Sequence, residues 1–206
     1  IGDITGVAPS IKCRIGVNDE YTEYQLCQLV DQLHRKGGVT DIIVHARNAI
    51  LNKKFSPADN RNIPPLRYGV VHALVAEFPC VNFTINGGIM TYDDVLYHLD
   101  KGGSGVMVGR EVVNNPYYWR GIDDLMTGDA SDHDGISRRA IVDTYTDYVN
   151  TVEAYSLRNG FKVSRNILIK PLLNLFHGQR HSKKFKTLLQ AAVCSGASKG
   201  MLSDVI

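Results

Sequence analysis

Four short apolar runs in the first part of the chain limit the folds that this sequence can adopt. They occupy residues 10–16, 41–47, 82–89 and 105–111. A continuous hydrophobic run of this length is typical of a parallel strand that is buried on both faces. Stretches with helical spacing of apolar residues separate the runs, so the order alternates between strand and helix. This alternation predicts an α/β fold with a parallel sheet and right-handed crossovers.

The carboxyl ends of the four runs distinguish between two parallel architectures. Active-site residues of a (β/α)₈ barrel lie at the carboxyl ends of its strands, whereas a doubly wound sheet binds ligands at one switch point. Here every run ends in polar residues or glycines, namely Lys12, His45, Asn86, Gly87, Gly88, Gly109 and Arg110. The sequence predicts the carboxy-terminal half of a TIM (β/α)₈ barrel over residues 1–126. An open doubly wound sheet is the alternative.

The rest of the chain has a different pattern. Residues 127–135 are polar and rich in turn formers, which predicts a linker. Residues 136–206 read as a small helical domain, in which Pro171 should begin or kink a helix. An apolar stripe is expected on its first helix, formed by Ile141, Tyr145, Tyr148, Val149 and Val152.

Charge is distributed unevenly between the two parts. Residues 1–135 contain 12 basic and 17 acidic residues, net −5, and residues 136–206 contain 11 basic and 4 acidic residues, net +7. Between Arg158 and Lys186 there are eight basic residues and no acidic one. Such a segment can bind a polyanion, although a solvated basic face has the same composition.

Cysteine and hydropathy patterns exclude several classes of protein. The four cysteines are scattered without a CxxC pair, which indicates thiols in a reducing compartment and no zinc site. No apolar stretch approaches the roughly 20 residues needed to span a bilayer, and the start shows no signal-peptide pattern. We expect a protein of the cytoplasm or an organelle, with no metal and no membrane partner.

Glycine and basic residues at the strand ends predict an anion site. Glycine allows close approach of the backbone to a ligand, and barrels commonly bind phosphate after their last two strands. Lys12 would face a ligand, or extend to solvent along its stem. His45 could be a ligand contact or a core residue. Cys13 should point to the opposite face from Lys12 and act structurally.

Several segments together resemble the A-type subfamily of the tRNA-dihydrouridine synthases. They are Ile-Lys-Cys-Arg-Ile-Gly (11–16), Val-His-Ala-Arg (44–47), Ser-Pro-Ala-Asp-Asn-Arg-Asn-Ile-Pro-Pro-Leu-Arg-Tyr (56–68), Ile-Asn-Gly-Gly-Ile (85–89), Gly-Val-Met-Val-Gly-Arg-Glu (105–111), Asn-Pro-Tyr (115–117) and Leu-Leu-Asn-Leu-Phe-His-Gly (172–178). The resemblance covers almost the whole chain.

The resemblance implies an FMN enzyme that uses NADPH to reduce the C5=C6 bond of uridine in the tRNA D-loop. Lys12 and His45 match flavin-ring contacts of the family. The family's phosphate contacts match Asn86, Gly87, Gly88, Gly109 and Arg110. Arg61 and Lys170 match positions that touch tRNA. The family often has lysine at the position of Ala58 and arginine at that of Lys170, so the RNA contacts should differ in detail.

The resemblance also implies elements that this sequence does not contain. Family members have a preceding half-barrel with a proline–methionine flavin-binding segment and a cysteine that acts as general acid. We therefore expect no catalytic residue in these 206 residues. The chain alone should be inactive, and the full-length protein should be a monomer.

Two other functions remain open at this point. The first is a non-catalytic RNA-binding or assembly protein on a decayed synthase scaffold. The second is another FMN barrel oxidoreductase that acts on a small molecule, which would not need the basic tail.

Overall fold

The structure, a computed structural model, describes residues 5–18, 22–128 and 135–194, apart from the side chains of residues 192–194. Residues 129–134 of the predicted linker lie outside the described residues. The chain divides into two compact units, Ile1–Gly109 and Arg110–Ile206. None of the helices in the described ranges has the length and apolar character to cross a lipid bilayer.

The first unit alternates strands with helices. Its elements are β1 (Ser10–Val17), α1 (Glu23–Arg35), β2 (Asp41–Ala49), α2 (Asp59–Asn62), α3 (Tyr68–Glu77), β3 (Asn82–Asn86), α4 (Tyr92–Asp100) and β4 (Gly105–Met107).

The four strands form one sheet in the order β1-β2-β3-β4, and each neighbouring pair is parallel. A doubly wound sheet reverses its strand order at a switch point, and the described strands contain no such reversal. The prediction of a partial (β/α)₈ barrel is confirmed as a parallel four-stranded α/β sheet. The described residues form no closed barrel.

Alternation along the strands separates a helix-covered face of the sheet from the opposite face. Ile42, Val44, Phe83 and Ile85 are at most 1% exposed and pack in a core with residues of α1 and α3. Cys13 also packs against this core. Lys12 is one residue earlier and lies on the other face, as predicted.

Two helices of this unit begin at threonine caps. The hydroxyl of Thr91 accepts a hydrogen bond from the Asp94 backbone N–H, and the Asp94 carboxylate accepts one from the Thr91 backbone N–H. Thr22 and Gln25 form the same reciprocal pair at α1. These capping boxes satisfy backbone donors that a helix start leaves without partners.

Residues 47–67, the loop that follows the second apolar run, contain regular structure. β2 continues to Ala49, and α2 forms inside the loop. Ser56 and Asp59 initiate α2, because the Asp59 carboxylate accepts hydrogen bonds from the Ser56 backbone N–H at 2.9 Å and the Ser56 hydroxyl at 2.7 Å. These hydrogen bonds lower the pKa of Asp59.

The second unit is helical in its described part. It contains α5 (Arg110–Asn114), a 3₁₀ helix (Pro116–Gly121), α6 (Ile122–Thr127), α7 (Arg138–Arg158), α8 (Arg165–Leu168), a 3₁₀ helix (Lys170–Leu172) and α9 (Ser182–Cys194).

The core of this unit gathers apolar residues from α7, α9 and the segment between them. Its buried members are Val142, Ile169, Leu172, Leu175, Phe185 and Leu189. Pro171 lies at the start of a 3₁₀ helix, as predicted.

The predicted stripe on α7 is wrong in part. Val149 is buried, but Tyr148 is 52% exposed, and Val142 and Thr146 occupy the buried positions. Tyr145 is half-buried and donates its hydroxyl to the Leu168 carbonyl at 2.7 Å. A tyrosine can therefore belong to the stripe while its polar end turns away from the core.

Candidate functional site

A row of aligned residues crosses the sheet, at the ends of β3 and β4 but within β1 and β2. Because β1 continues to Val17 and β2 to Ala49, Lys12 and His45 lie inside their strands rather than at the predicted ends. Arg14 pairs with His45 in the strand register, His45 with Asn86, and Asn86 with Met107. The side chain of Asn86 donates to the Met107 carbonyl at 2.8 Å and accepts from Lys12 Nζ at 2.7 Å. Asn86, on β3, therefore connects Lys12 of β1 with β4, and its hydrogen bond to Lys12 passes over β2.

Lys12 and Cys13 have environments that match their opposite faces. Burial is the main cause that lowers the pKa of Lys12, and the nearby guanidinium of Arg14 lowers it further. Burial raises the pKa of the Cys13 thiol, which keeps the thiol protonated. A raised pKa disfavours the nucleophilic thiolate, in keeping with the structural role predicted for Cys13.

The glycine turn after β3 lies tightly against its neighbours. Gly87 and Gly88 have φ values of 110° and 71°, in the region that favours glycine. A Cβ on Gly87 would lie 2.5 Å from Cδ2 of His45, and one on Gly88 would lie 2.5 Å from Cδ1 of Leu66. The structure thus brings His45 and Gly87 together.

Tyr68 fixes the same turn and was not singled out from the sequence. Its hydroxyl donates to the Gly87 carbonyl at 2.5 Å. Burial is the main cause that raises the pKa of Tyr68, with Asp94 adding to the shift. The only available signal was its place after the Pro-Pro-Leu-Arg segment, which sequence alone does not connect to a distant glycine.

Gly109 and Arg110 differ from the first glycine cluster. β4 ends at Met107, so the predicted fourth strand is shorter than its apolar run. A Cβ on Gly109 would have no neighbour within 4 Å. Arg110 begins α5. Crowding therefore does not require glycine here, and a role in binding phosphate remains a prediction.

Three arginines lie close together near the ordered loop. Arg14 donates to the Asn48 carbonyl at 2.8 Å and to the Asn60 carbonyl at 2.9 Å. Its pKa is lowered mainly by burial, and then by the positive charges of Arg47 and Arg61. This cluster concentrates positive charge beside the strand ends.

The two predicted RNA contacts lie on exposed surface in different units. Arg61 is an exposed residue of α2, and Arg47 donates to the neighbouring carbonyls of Asn62 and Pro64. Lys170 is an exposed residue at the start of a 3₁₀ helix.

Six of the eight basic residues between Arg158 and Lys186 are exposed. Arg165 is half-buried in an ion pair with Glu153. Lys186 is also half-buried and donates to the Asn174 side chain at 2.7 Å. Most of the basic segment is thus available to a polyanion.

Comparison with known proteins gives one consistent result. Residues 3–203 match the family described as dihydrouridine synthase (Dus). Three curated relatives carry the name tRNA-dihydrouridine(20/20a) synthase. The one from Pseudomonas syringae pv. tomato is 34% identical over 202 residues, which is 98% of this chain and 57% of the relative.

The relative from Pseudomonas aeruginosa is 34% identical over 195 residues, which is 95% of this chain and 55% of the relative. The one from Salmonella typhimurium is 31% identical over 206 residues, which is 99% of this chain and 59% of the relative. The chain therefore spans little more than half the length of the curated relatives it matches.

Proposed function

Because the chain belongs to the dihydrouridine synthase family, we propose that its protein reduces the C5=C6 bond of a uridine in the D-loop of tRNA. FMN is the cofactor of this reaction and NADPH is its electron donor. The observation that carries the proposal is the arrangement on one face of the sheet, in which Lys12 within β1 contacts Asn86 at the end of β3 and the ring of His45 lies against Gly87.

The residues proposed for the cofactor site fit a flavin nucleotide. Gly87 and Gly88 leave the turn after β3 without side chains of its own, and a glycine backbone can approach a phosphate closely. Asn86, Gly109 and Arg110 complete the proposed phosphate contacts. Lys12 and His45 are the proposed contacts to the flavin ring.

When bound, a reduced flavin supplies a hydride to the uracil ring. Lys12 places an ammonium group on the ligand-facing side of the sheet, where it can stabilise the negative charge of a reduced ring. Asn86 holds this ammonium at 2.7 Å and is itself anchored to the Met107 carbonyl. This anchoring orients Lys12 before a ligand arrives.

We assign tRNA binding to two separate surfaces. Arg61 lies in the exposed loop beside the strand ends, and Lys170 belongs to the basic segment of the second unit. In this proposal residues 1–126 hold the flavin and residues 136–206 form the tRNA-binding domain. A uridine stacked inside tRNA must be flipped out to reach the flavin.

The test uses the full-length gene product, purified with FMN and supplied with NADPH and unmodified tRNA. We expect dihydrouridine among the digested nucleosides by mass spectrometry. Lys12→Gln should slow its formation roughly 100-fold, the order expected for loss of one preorganised electrostatic group. Lys36→Gln, at an exposed lysine that follows α1, is the matched control.

Two results would contradict the proposal. If the wild-type protein binds tRNA but forms no dihydrouridine, the non-catalytic RNA-binding alternative is correct. If Lys12→Gln and Lys36→Gln are equally active, Lys12 does not contact the flavin.

A further inference from the structure

A cleft lies within the loop that follows β2. Its volume is about 260 Å³, below the roughly 300–1,000 Å³ typical of sites for drug-sized ligands. Such a volume suits one small planar group. Its apolar wall comprises Phe55, Ile63, Pro64 and Pro65, and a planar ring could pack against it.

Two cations stand beside this apolar wall. Lys53 and Arg67 line the cleft, and no acidic residue is among its described lining residues. Lys53 is exposed. Arg67 forms a 2.6 Å ion pair with Glu23, in which both side chains are largely exposed. The cleft therefore combines a surface for stacking with positive charge, the combination that single-stranded nucleic acid requires.

The wall of the cleft is held in place by side-chain hydrogen bonds. Asn60 closes a reciprocal pair with the backbone of Ile50, at 2.7 and 2.9 Å. Asn48, which also lines the cleft, donates to the Asn18 carbonyl at 2.6 Å. Because these hydrogen bonds hold the cleft in shape before a ligand binds, less conformational entropy of the protein is lost on binding.

We infer that this cleft binds one nucleotide of the RNA substrate, other than the uridine that is reduced. The base packs on the wall of Phe55, Ile63 and Pro65, and the adjoining phosphate faces Lys53 and Arg67. The inference rests on the proposed function, since it takes tRNA as the substrate. The residues proposed to contact the flavin do not line the cleft, so its occupant is not the reacting base.

RNA is favoured over a free nucleotide because the same loop carries Arg61, two residues before Ile63. Arg14 and Arg47 add positive charge beside it. A polyanion can contact the cleft and this arginine cluster together. The adenosine of a dinucleotide has similar chemistry, and the experiment separates the two sources.

The experiment measures tRNA affinity of the full-length, flavin-loaded gene product by filter binding at several salt concentrations. Phe55→Ala should weaken binding about tenfold with an unchanged salt slope, because stacking is lost but no charge is removed. Lys53→Ala should reduce the slope by about 0.7, the value for one phosphate contact to a single strand. Lys54→Ala, at the adjacent exposed lysine outside the cleft, is the matched control.

A series of tRNAs, each with one abasic nucleotide, identifies the occupant. The wild-type protein should bind one of these tRNAs more weakly than the intact tRNA. On that tRNA, and on no other, Phe55→Ala should cause no further loss of affinity. Thermal unfolding and flavin absorption of each variant report whether it has folded. Dihydrouridine formation by the wild type tests the proposed function separately.

Four outcomes would overturn the inference while leaving the proposed function intact. In the first, Phe55→Ala binds every tRNA as tightly as the wild type does. In the second, Phe55→Ala loses the same factor in affinity on every abasic tRNA. In the third, Lys53→Ala and Lys54→Ala change the salt slope equally. The fourth is a higher KM for NADPH with unchanged tRNA affinity in Phe55→Ala and Lys53→Ala, which would assign the cleft to the reductant.

Discussion

At the residue scale, both the backbone conformation and the neighbouring side chains require glycine at position 87. Its φ of 110° is strained for any other residue, and the ring of His45 occupies the place of a Cβ. Tyr68 holds the carbonyl of the same residue. A position with these three constraints tolerates very little change.

Gly87→Ala should destabilise the protein by about 1–3 kcal/mol, the usual cost of a residue in a disfavoured backbone region. Displacement of His45 should also weaken flavin retention. Denaturant unfolding and flavin absorption after gel filtration measure the two effects. Gly69→Ala is the control, because a Cβ there meets no atom within 4 Å; equal stability of the two variants would contradict the argument.

A histidine pair behind this turn should make stability depend on pH. His72 Nε2 lies 3.1 Å from His98 Nδ1, and His98 is 2% exposed. Burial is the main cause that lowers the pKa of each histidine. Lys101 lowers the pKa of His72 further, and His72 lowers that of His98, whereas Asp94 raises that of His98. The unfolded chain therefore binds protons more readily at these histidines than the folded protein does.

The thermal unfolding midpoint should fall as the pH decreases below about 6.5, the ordinary histidine value. The stability that this pair contributes is present above that pH. It is lost as the pH falls toward the lowered pKa values of the two histidines in the folded protein. His72→Gln should make the decrease smaller. His177→Gln, at an exposed histidine of the second unit, should leave it unchanged. An identical pH profile for wild type and His72→Gln would exclude the pair as the cause.

At the element scale, two arginines connect the sheet to the loop of residues 47–67. Arg14 reaches the Asn48 and Asn60 carbonyls, and Arg47 reaches those of Asn62 and Pro64. The loop is therefore a fixed part of the sheet edge. Arg61 is carried on this element, so its position depends on residues that need not touch RNA.

Arg14→Lys should weaken tRNA binding about tenfold, because lysine keeps the charge but cannot direct a fork at two carbonyls. Flavin absorption should be retained. Arg35→Lys, in an exposed ion pair with Asp31, is the control. If Arg14→Lys binds tRNA as tightly as Arg35→Lys does, the loop does not require this anchor.

Some of these helices and strands can be predicted from sequence patterns, and others cannot. The parallel strands were predictable because residues 41–47 and 82–89 are long apolar runs with clear ends. α2 was not, because a four-residue helix has no periodicity and its first turn depends on the local hydrogen bonds between Ser56 and Asp59. The buried face of α7 was only partly predictable, because tyrosines such as Tyr148 are both apolar and polar.

At the scale of the whole molecule, the uneven charge of the sequence becomes an exposed basic surface on the second unit. Six of the eight basic residues between Arg158 and Lys186 are exposed. The glycine clusters could be located from sequence, but the bond from Lys12 to Asn86 joins residues 74 positions apart. Only the strand register brings such residues together.

Replacement of Lys183 and Lys184 by alanine should weaken tRNA binding and make it less sensitive to salt. Each lost phosphate contact reduces the slope of log K against log salt concentration by about 0.9. A decrease of up to about 1.8 is therefore expected for the double variant. Lys36→Ala is the control, and an unchanged slope in the double variant would remove this surface from the interface.

The opposite orientations of Lys12 and Cys13 have a consequence for how β1 can evolve. Substitutions along this strand alter one side chain each, but an insertion or deletion inverts all that follow. Loss of one residue before Lys12 would turn an ammonium group into the hydrocarbon interior and direct a thiol to the opposite face of the sheet. Drift in β1 should therefore replace residues while preserving their number.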